Sequence, residues 1–166
     1  MAESPTLPRP IPDEAAAWIG RETWSGEGTV RAREFQRWAL AVGETNPLYF
    51  DIDVAKRHGY PALVMPPMFL PMVVRPLRAL GELRADGSVP EYDLPGLPER
   101  RMAGGDKSEF LRAILDGEKV FASRVLADIV SKRGRSGDFL LATWTTRYTD
   151  SDGSLIATTD FRLVAR

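Results

Sequence analysis

The run "GETNPLYFD", Gly43 to Asp51, places a carboxylate (Glu44), an Asn-Pro pair (Asn46 and Pro47) and a phenol (Tyr49) close together. Asn-Pro commonly initiates a turn, so the run could be turn chemistry alone, or it could be a catalytic loop. Glu44 could act as an acid if burial raised its carboxyl into the useful range. Tyr49 is a poor base near neutral pH, because a phenol ordinarily ionises at about 10. Histidine suits proton transfer near neutrality best, and the chain has only one, His58. It follows Ala-Lys-Arg on an expected short helix and reads as a surface or capping residue. There are no cysteines, which excludes disulfides, thiolate metal sites and a cysteine nucleophile. One histidine cannot build a His-based metal site within a chain. The net charge of -1 provides no field for nucleic acid or anionic lipid, so neither is expected as a partner.

The elements around this run follow from apolar spacing. In "REFQRWALAVGE", Phe35, Trp38, Ala39 and Val42 recur at i, i+3, i+4 and i+7, predicting a helix with one apolar stripe. Gly43 suits its C-terminal cap. "PDEAAAWIG" reads as a short helix with proper start and stop signals, "GTVRA" as a short strand, and "DIDVAKRH" as a short helix capped by Asp51. "VMPPMFLPMVVRPLRALGEL" is apolar and long enough for a buried helix, but interior prolines at Pro71 and Pro76 each cost about 3 kcal/mol. A kinked or broken helix is expected there. The longest apolar stretch, Leu63 to Val74 with three prolines, is too short to span a bilayer, and the Pro-rich start, residues 1–12, lacks the pattern of a signal peptide. That start is expected to be a mobile arm ahead of a single domain over 13–166, in a cytoplasmic protein.

Residues 81–105, rich in Gly, Pro and charge, predict a long loop. The remainder alternates with period two. Phe121, Ser123, Val125, Ala127 and Ile129 share one face of a strand. Leu140, Ala142, Trp144, Thr146 and Tyr148 share a face of the next, and Leu155, Ala157, Thr159, Phe161 and Leu163 a face of the last. Asp152-Gly153 is a hairpin signal. Three antiparallel strands with one apolar face need a helical cover, and the Leu63–Leu80 segment is the only long apolar candidate. Trp38 and Trp144 are expected in the core. Arg100 and Arg101 read as a solvated loop pair, although coenzyme A phosphates would suit them.

The order of these elements, with "VGETNPLYFD", "GYPALVMPPMF" and "AGGDKSEFLRAILDGE" in sequence, resembles the MaoC-like (R)-specific hydratase/dehydratase family, in particular its N-terminal-type domains. The resemblance covers roughly residues 17–166. It implies an α+β hotdog fold, a curved antiparallel sheet wrapped around a central helix. It also implies a substrate that is an acyl thioester of coenzyme A or acyl carrier protein, across whose α,β double bond water is added or removed. No cofactor is implied beyond the coenzyme A or phosphopantetheine that the substrate carries.

Active members resemble Gly-Asp-x-Asn-Pro-x-His in this loop, and Asp and His hold and activate the water. Here the Asp position is Glu44 and the His position is Tyr49. Glu44 is one methylene too long, and a misplacement of about 1 Å can cost a hundredfold in rate. Active members also present Ala-His-Gly-Met at the start of the central helix, where a backbone N–H holds the thioester oxygen. The matching residues are Met65, Pro66, Pro67 and Met68, and proline has no N–H. Met68 could substitute only with a shifted helix start. The resemblance therefore implies a subunit with a degenerate dyad, which binds substrate through Asn46, Pro47, Met65, Pro67, Met68, Phe69 and Met72. The dyad would come from a second MaoC-like hotdog chain. The alternatives are a self-sufficient homo-oligomeric hydratase using Glu44 and Tyr49, and a non-enzymatic acyl-thioester binding module.

Overall fold

A computed structural model describes residues 9–135 and 137–166. The first eight positions of the expected arm lie outside the described residues. Helix α1 (Asp13–Ala16) is followed by strand β1 (Glu22–Thr29), helix α2 (Ala32–Ala41), helix α3 (Ile52–Arg57) and helix α4 (Leu70–Val74). Strands β2 (Arg101–Phe110), β3 (Lys119–Gly134), β4 (Gly137–Thr149) and β5 (Leu155–Ala165) complete the chain. The five strands form one antiparallel sheet in the order β1-β3-β4-β5-β2. This curved sheet with helices against its inner face is the hotdog arrangement.

Local chemistry sets the helix ends. Gly43 takes φ 78°, its N–H bonds to the Leu40 carbonyl, and the Glu44 N–H bonds to the Ala39 carbonyl. That pair of bonds is a Schellman cap. Val42 falls at the cap and is exposed, so the buried stripe of α2 is Phe35 and Ala39 with Trp38 packed beside them. Asp51 caps α3, its Oδ1 accepting from the Asp53 and Val54 amides.

The expected central helix is much shorter than its sequence pattern. A 3-10 turn over Pro67–Phe69 runs into α4, which stops before Arg75. Pro76 enforces the stop, because a residue preceding proline is pushed out of the helical region, and Arg75 is extended at ψ 136°. Residues 75–80 do not cover the sheet; Leu77 is fully exposed at 101%. The cover comes in two pieces. Residues 63–74 and α2 bury one half of the concave face, around Val120, Tyr148 and Ala157. The other half, around Leu126, Trp144 and Leu163, is covered by Ala15 of α1 and by Leu94 and Leu97 of the long connection.

Two strands were legible only in part. "GTVRA" is not a strand of its own: β1 begins at Glu22 and ends at Thr29, a stretch whose two glycines lower its β signal. These glycines are needed because α4 lies directly on them. A Cβ on Gly28 would sit 1.9 Å from the Val73 carbonyl oxygen, and one on Gly26 would sit 2.7 Å from that of Val74. Strand β2 begins at Arg101, inside the stretch expected to be loop.

The face assigned to β3 is also corrected. Its buried residues are Val120, Ala122, Arg124 and Leu126, then Ile129. Phe121, Ser123 and Val125 point outward, and Ala127 is exposed. The pairing shifts register between Leu126 and Asp128, and such a bulge reverses which side chains face inward. The inner faces of β4 and β5 are as expected except at Leu155, which precedes the irregularity at Tyr148/Thr149.

Candidate functional site

The Asn46-Pro47 pair does form a turn. Asn46 caps the short 3-10 helix Pro47–Tyr49, its side-chain oxygen accepting from the Leu48 amide at 3.1 Å. The turn folds Tyr49 inward, where it is buried, and Gln36 of α2 anchors it by donating to the Tyr49 carbonyl at 3.0 Å. Burial pushes the Tyr49 hydroxyl above its usual range. The Asn46 side chain offsets part of that shift, and the neighbouring Glu44 carboxylate adds to it. Tyr49 is therefore a neutral hydrogen-bonding group at physiological pH and not a base. Glu44 is half-buried. The loop thus brings Glu44, Asn46 and Tyr49 together with no histidine among them.

Asn46, Tyr49, Met65 and Pro67 line one depression of about 280 Å³, whose opposite wall is the 110–114 segment at the end of β2. That wall was not legible in the sequence, since only the sheet brings Phe110 and Ile114 against the loop. Met65 is bound to it: its N–H donates to the Ile114 carbonyl at 2.8 Å. Pro66 and Pro67 carry no N–H. The first amide at this helix start without a partner among the described residues belongs to Met68.

The other residues named from the sequence sort by exposure. Pro67, Met68 (55% exposed) and Met72 (47%) lie on the surface of the single chain. Pro47 is also exposed. Phe69, at 6% exposure, is in the core, edge-on to Phe35 and tilted against Trp38. Trp144 is core as expected. His58 sits exposed at the end of α3 with Nδ1 2.9 Å from the Val54 carbonyl. Arg101 is held by the Asp93 carboxylate and the Pro98 carbonyl, so it is not a solvated loop residue. Among the described residues no group of His, Asp or Glu side chains could hold a metal ion, and no helix is long and apolar enough to cross a membrane.

A hotdog sheet with an Asn-Pro loop beside the start of its central helix defines a MaoC-like dehydratase domain. The chain belongs to this family: residues 17–159 match the family described as "FAS1-like, dehydratase domain region". It is 31% identical over 165 residues to a "UPF0336 protein" of Leifsonia xyli subsp. xyli, covering 98% of this chain and 95% of that protein. It is 26% identical to a "probable enoyl-CoA hydratase alpha subunit" of Thermomonospora curvata, covering 89% of this chain and 49% of that protein. The fold is similar to a chain of the ChsH1-ChsH2 complex from Mycobacterium tuberculosis. There the TM-score is 0.74 at 21% identity, with 92% of this chain and 88% of that chain covered.

Proposed function

We propose that this chain is the acyl-thioester binding subunit of a heteromeric 2-enoyl-thioester hydratase or 3-hydroxyacyl dehydratase, with the Asp-His dyad supplied by a second hotdog chain. One observation carries the reading. The loop that would hold the dyad presents Glu44 and a neutral Tyr49, while the adjoining helix start has spent or lost its amides at Met65, Pro66 and Pro67. Proton transfer to and from carbon near neutral pH needs a group with a matching pKa; the loop holds no histidine, and burial raises the Tyr49 hydroxyl away from that range. The exposed Met68 and Met72 beside it suit a surface that a partner chain and an acyl chain would cover, and methionine adapts to variable shapes. The resemblance to a two-component complex supports a partner of the same fold. The substrate carries coenzyme A or phosphopantetheine, and the subunit needs no cofactor of its own.

The test is hydration of crotonyl-CoA by the purified chain alone and by the chain with a small MaoC-like partner. The chain alone is expected to turn over below about 1 s⁻¹, the lower end of ordinary enzymes, and the pair well above it. Equal activity in both would assign the chemistry to Glu44 and Tyr49 instead.

Met68 provides a smaller test of the pocket. Met68→Trp fills the space at the helix start and penalises long acyl chains through KM, by about 1–3 kcal/mol. It leaves kcat and short chains nearly unchanged, because only binding shared by ground and transition states is lost. A chain-length series on the complex reads this, and an equal loss at every length would place Met68 outside the pocket.

A further inference from the structure

The concave face of the sheet should be apolar throughout if it served packing alone. It is not. Where the pairing registers align, a row of residues crosses the strands: Trp24 of β1, Arg124 of β3, Thr146 of β4, Thr159 of β5 and Ser108 of β2. On the inner strands the neighbouring positions are apolar, while Asp106 of β2 ends the row that holds Phe161. Ala122, Tyr148 and Ala157 belong to one core cluster, and Leu126 and Trp144, with Phe161 packed against them, to the other. The polar row therefore runs between the two halves of the core.

Arg124 is the unusual member, a guanidinium at 2% exposure on the inner face of an inner strand. Two rings lie against it, Trp24 at 4.8 Å and Tyr92 at 4.6 Å from its centre. Nη2 donates to the Glu91 carboxylate at 3.2 Å, and Glu91 also faces Arg78. Nε and Nη1 are buried and make no hydrogen bond to any described residue. Their N–H groups lie in the guanidinium plane, so only an acceptor in that plane can meet them. Leaving such donors unmatched is costly in a low-dielectric interior.

Arg124 lines a cavity of about 60 Å³ between α4 and this row. Its other walls include Thr146, Tyr148, Thr159 and the Asp106 carboxylate from the sheet and Pro71, Val74 and Arg75 from the helix end. The space is several times the minimum for one water and is large enough for a carbonyl or carboxylate group. α4 and the turn before it connect Pro67, at the proposed thioester site, to Arg75 at this cavity. At about 1.5 Å per residue the separation is about 12 Å, comparable to the length of a medium acyl chain.

We propose that this cavity is a subsite for an acceptor oxygen, a ketone or carboxylate, carried on the acyl portion of the substrate remote from the thioester. Arg124 donates to that oxygen through Nε and Nη1, with Thr146 beside it. The substrate is thus an oxygenated acyl thioester and not a plain hydrocarbon one. This inference rests on the proposed acyl-thioester binding and deepens it.

Binding of saturated acyl-CoA thioesters, which cannot be hydrated, tests the proposal apart from turnover. Titration calorimetry is run on the full chain, alone and with its partner, with chains from hexanoyl to dodecanoyl ending in a methyl, a methyl ketone or a carboxylate. At the length that reaches the cavity, the ketone or carboxylate should bind at least about tenfold more tightly than the methyl-ended chain, as expected for charge-assisted hydrogen bonds. A carboxylate that outranks the ketone identifies an anionic group, and parity identifies a neutral acceptor. Arg124→Met should erase the preference while leaving butyryl-CoA binding unchanged. If that variant does not fold, Thr146→Val, which removes a hydroxyl from the same wall, should lower the preference at least about threefold. Equal binding of the three endings at every length, or a preference that survives in the folded variant, overturns the proposal. Loss of crotonyl-CoA hydration in the pair, with the ending preference intact, overturns the hydratase reading and leaves the subsite standing.

Discussion

If the proposed complex is right, replacing the partner's dyad histidine should lower crotonyl-CoA hydration by about 10²–10⁴-fold, the usual contribution of a general acid–base group. Glu44→Gln and Tyr49→Phe leave it within a few-fold. The contrast follows from the loop. Tyr49 is held neutral by burial and by Glu44, and its ring packs in the core cluster with Phe69 and Ile114, so phenylalanine keeps the packing and removes a hydroxyl that moves no proton. The Tyr49→Phe complex should also retain the wild-type pH profile between about pH 5 and 9, since a phenol that ordinarily ionises at about 10, and here higher, does not titrate in that window. Steady-state kcat at saturating substrate is the measurement. A fall of about a hundredfold or more with Glu44→Gln would make this chain catalytic in its own right and remove the need for a partner's dyad.

Gly28→Ala destabilises the fold by about 3 kcal/mol or more, the upper end of overpacking costs. The strand β1 residue meets the backbone of α4, and a backbone carbonyl at 1.9 Å from the new Cβ cannot rotate aside as a side chain can. In a domain of this size about 3 kcal/mol corresponds to a fall of roughly 6–12 °C in Tm. Glu27→Ala, one position earlier, loses only an exposed ion pair with Lys119 and should change stability by less than about 1 kcal/mol. Thermal melts of the two variants decide the matter, and equal melting temperatures would mean that α4 does not rest on β1. Gly26→Ala is expected to be milder. Its closest contacts include the Trp24 ring, which can shift.

The sequence by itself determined whatever depends on neighbours along the chain. The Schellman cap at Gly43, the Asx turn at Asn46 and the Asp51 cap need only a few adjacent residues. The absence of a histidine at Tyr49 and of an N–H at Pro67 is covalent fact, true in any fold. Alternation fixed the inner faces of β4 and of most of β5 because those strands run without interruption where it was read. Tertiary structure alone decided the rest. A single-residue bulge near Ala127 inverted the phase of β3, and a period-two pattern carries no mark of where a bulge falls. Arg124 can point inward because its counter-ion Glu91 lies on a distant loop and its aromatic neighbours come from β1 and that same loop. The concave face is closed by two separate pieces, because Pro76 ends the central helix early and only the completed sheet brings α1 and the Leu94–Leu97 turn over the uncovered half. Burial of this kind is set by contacts between residues far apart in the chain, which no local spacing encodes.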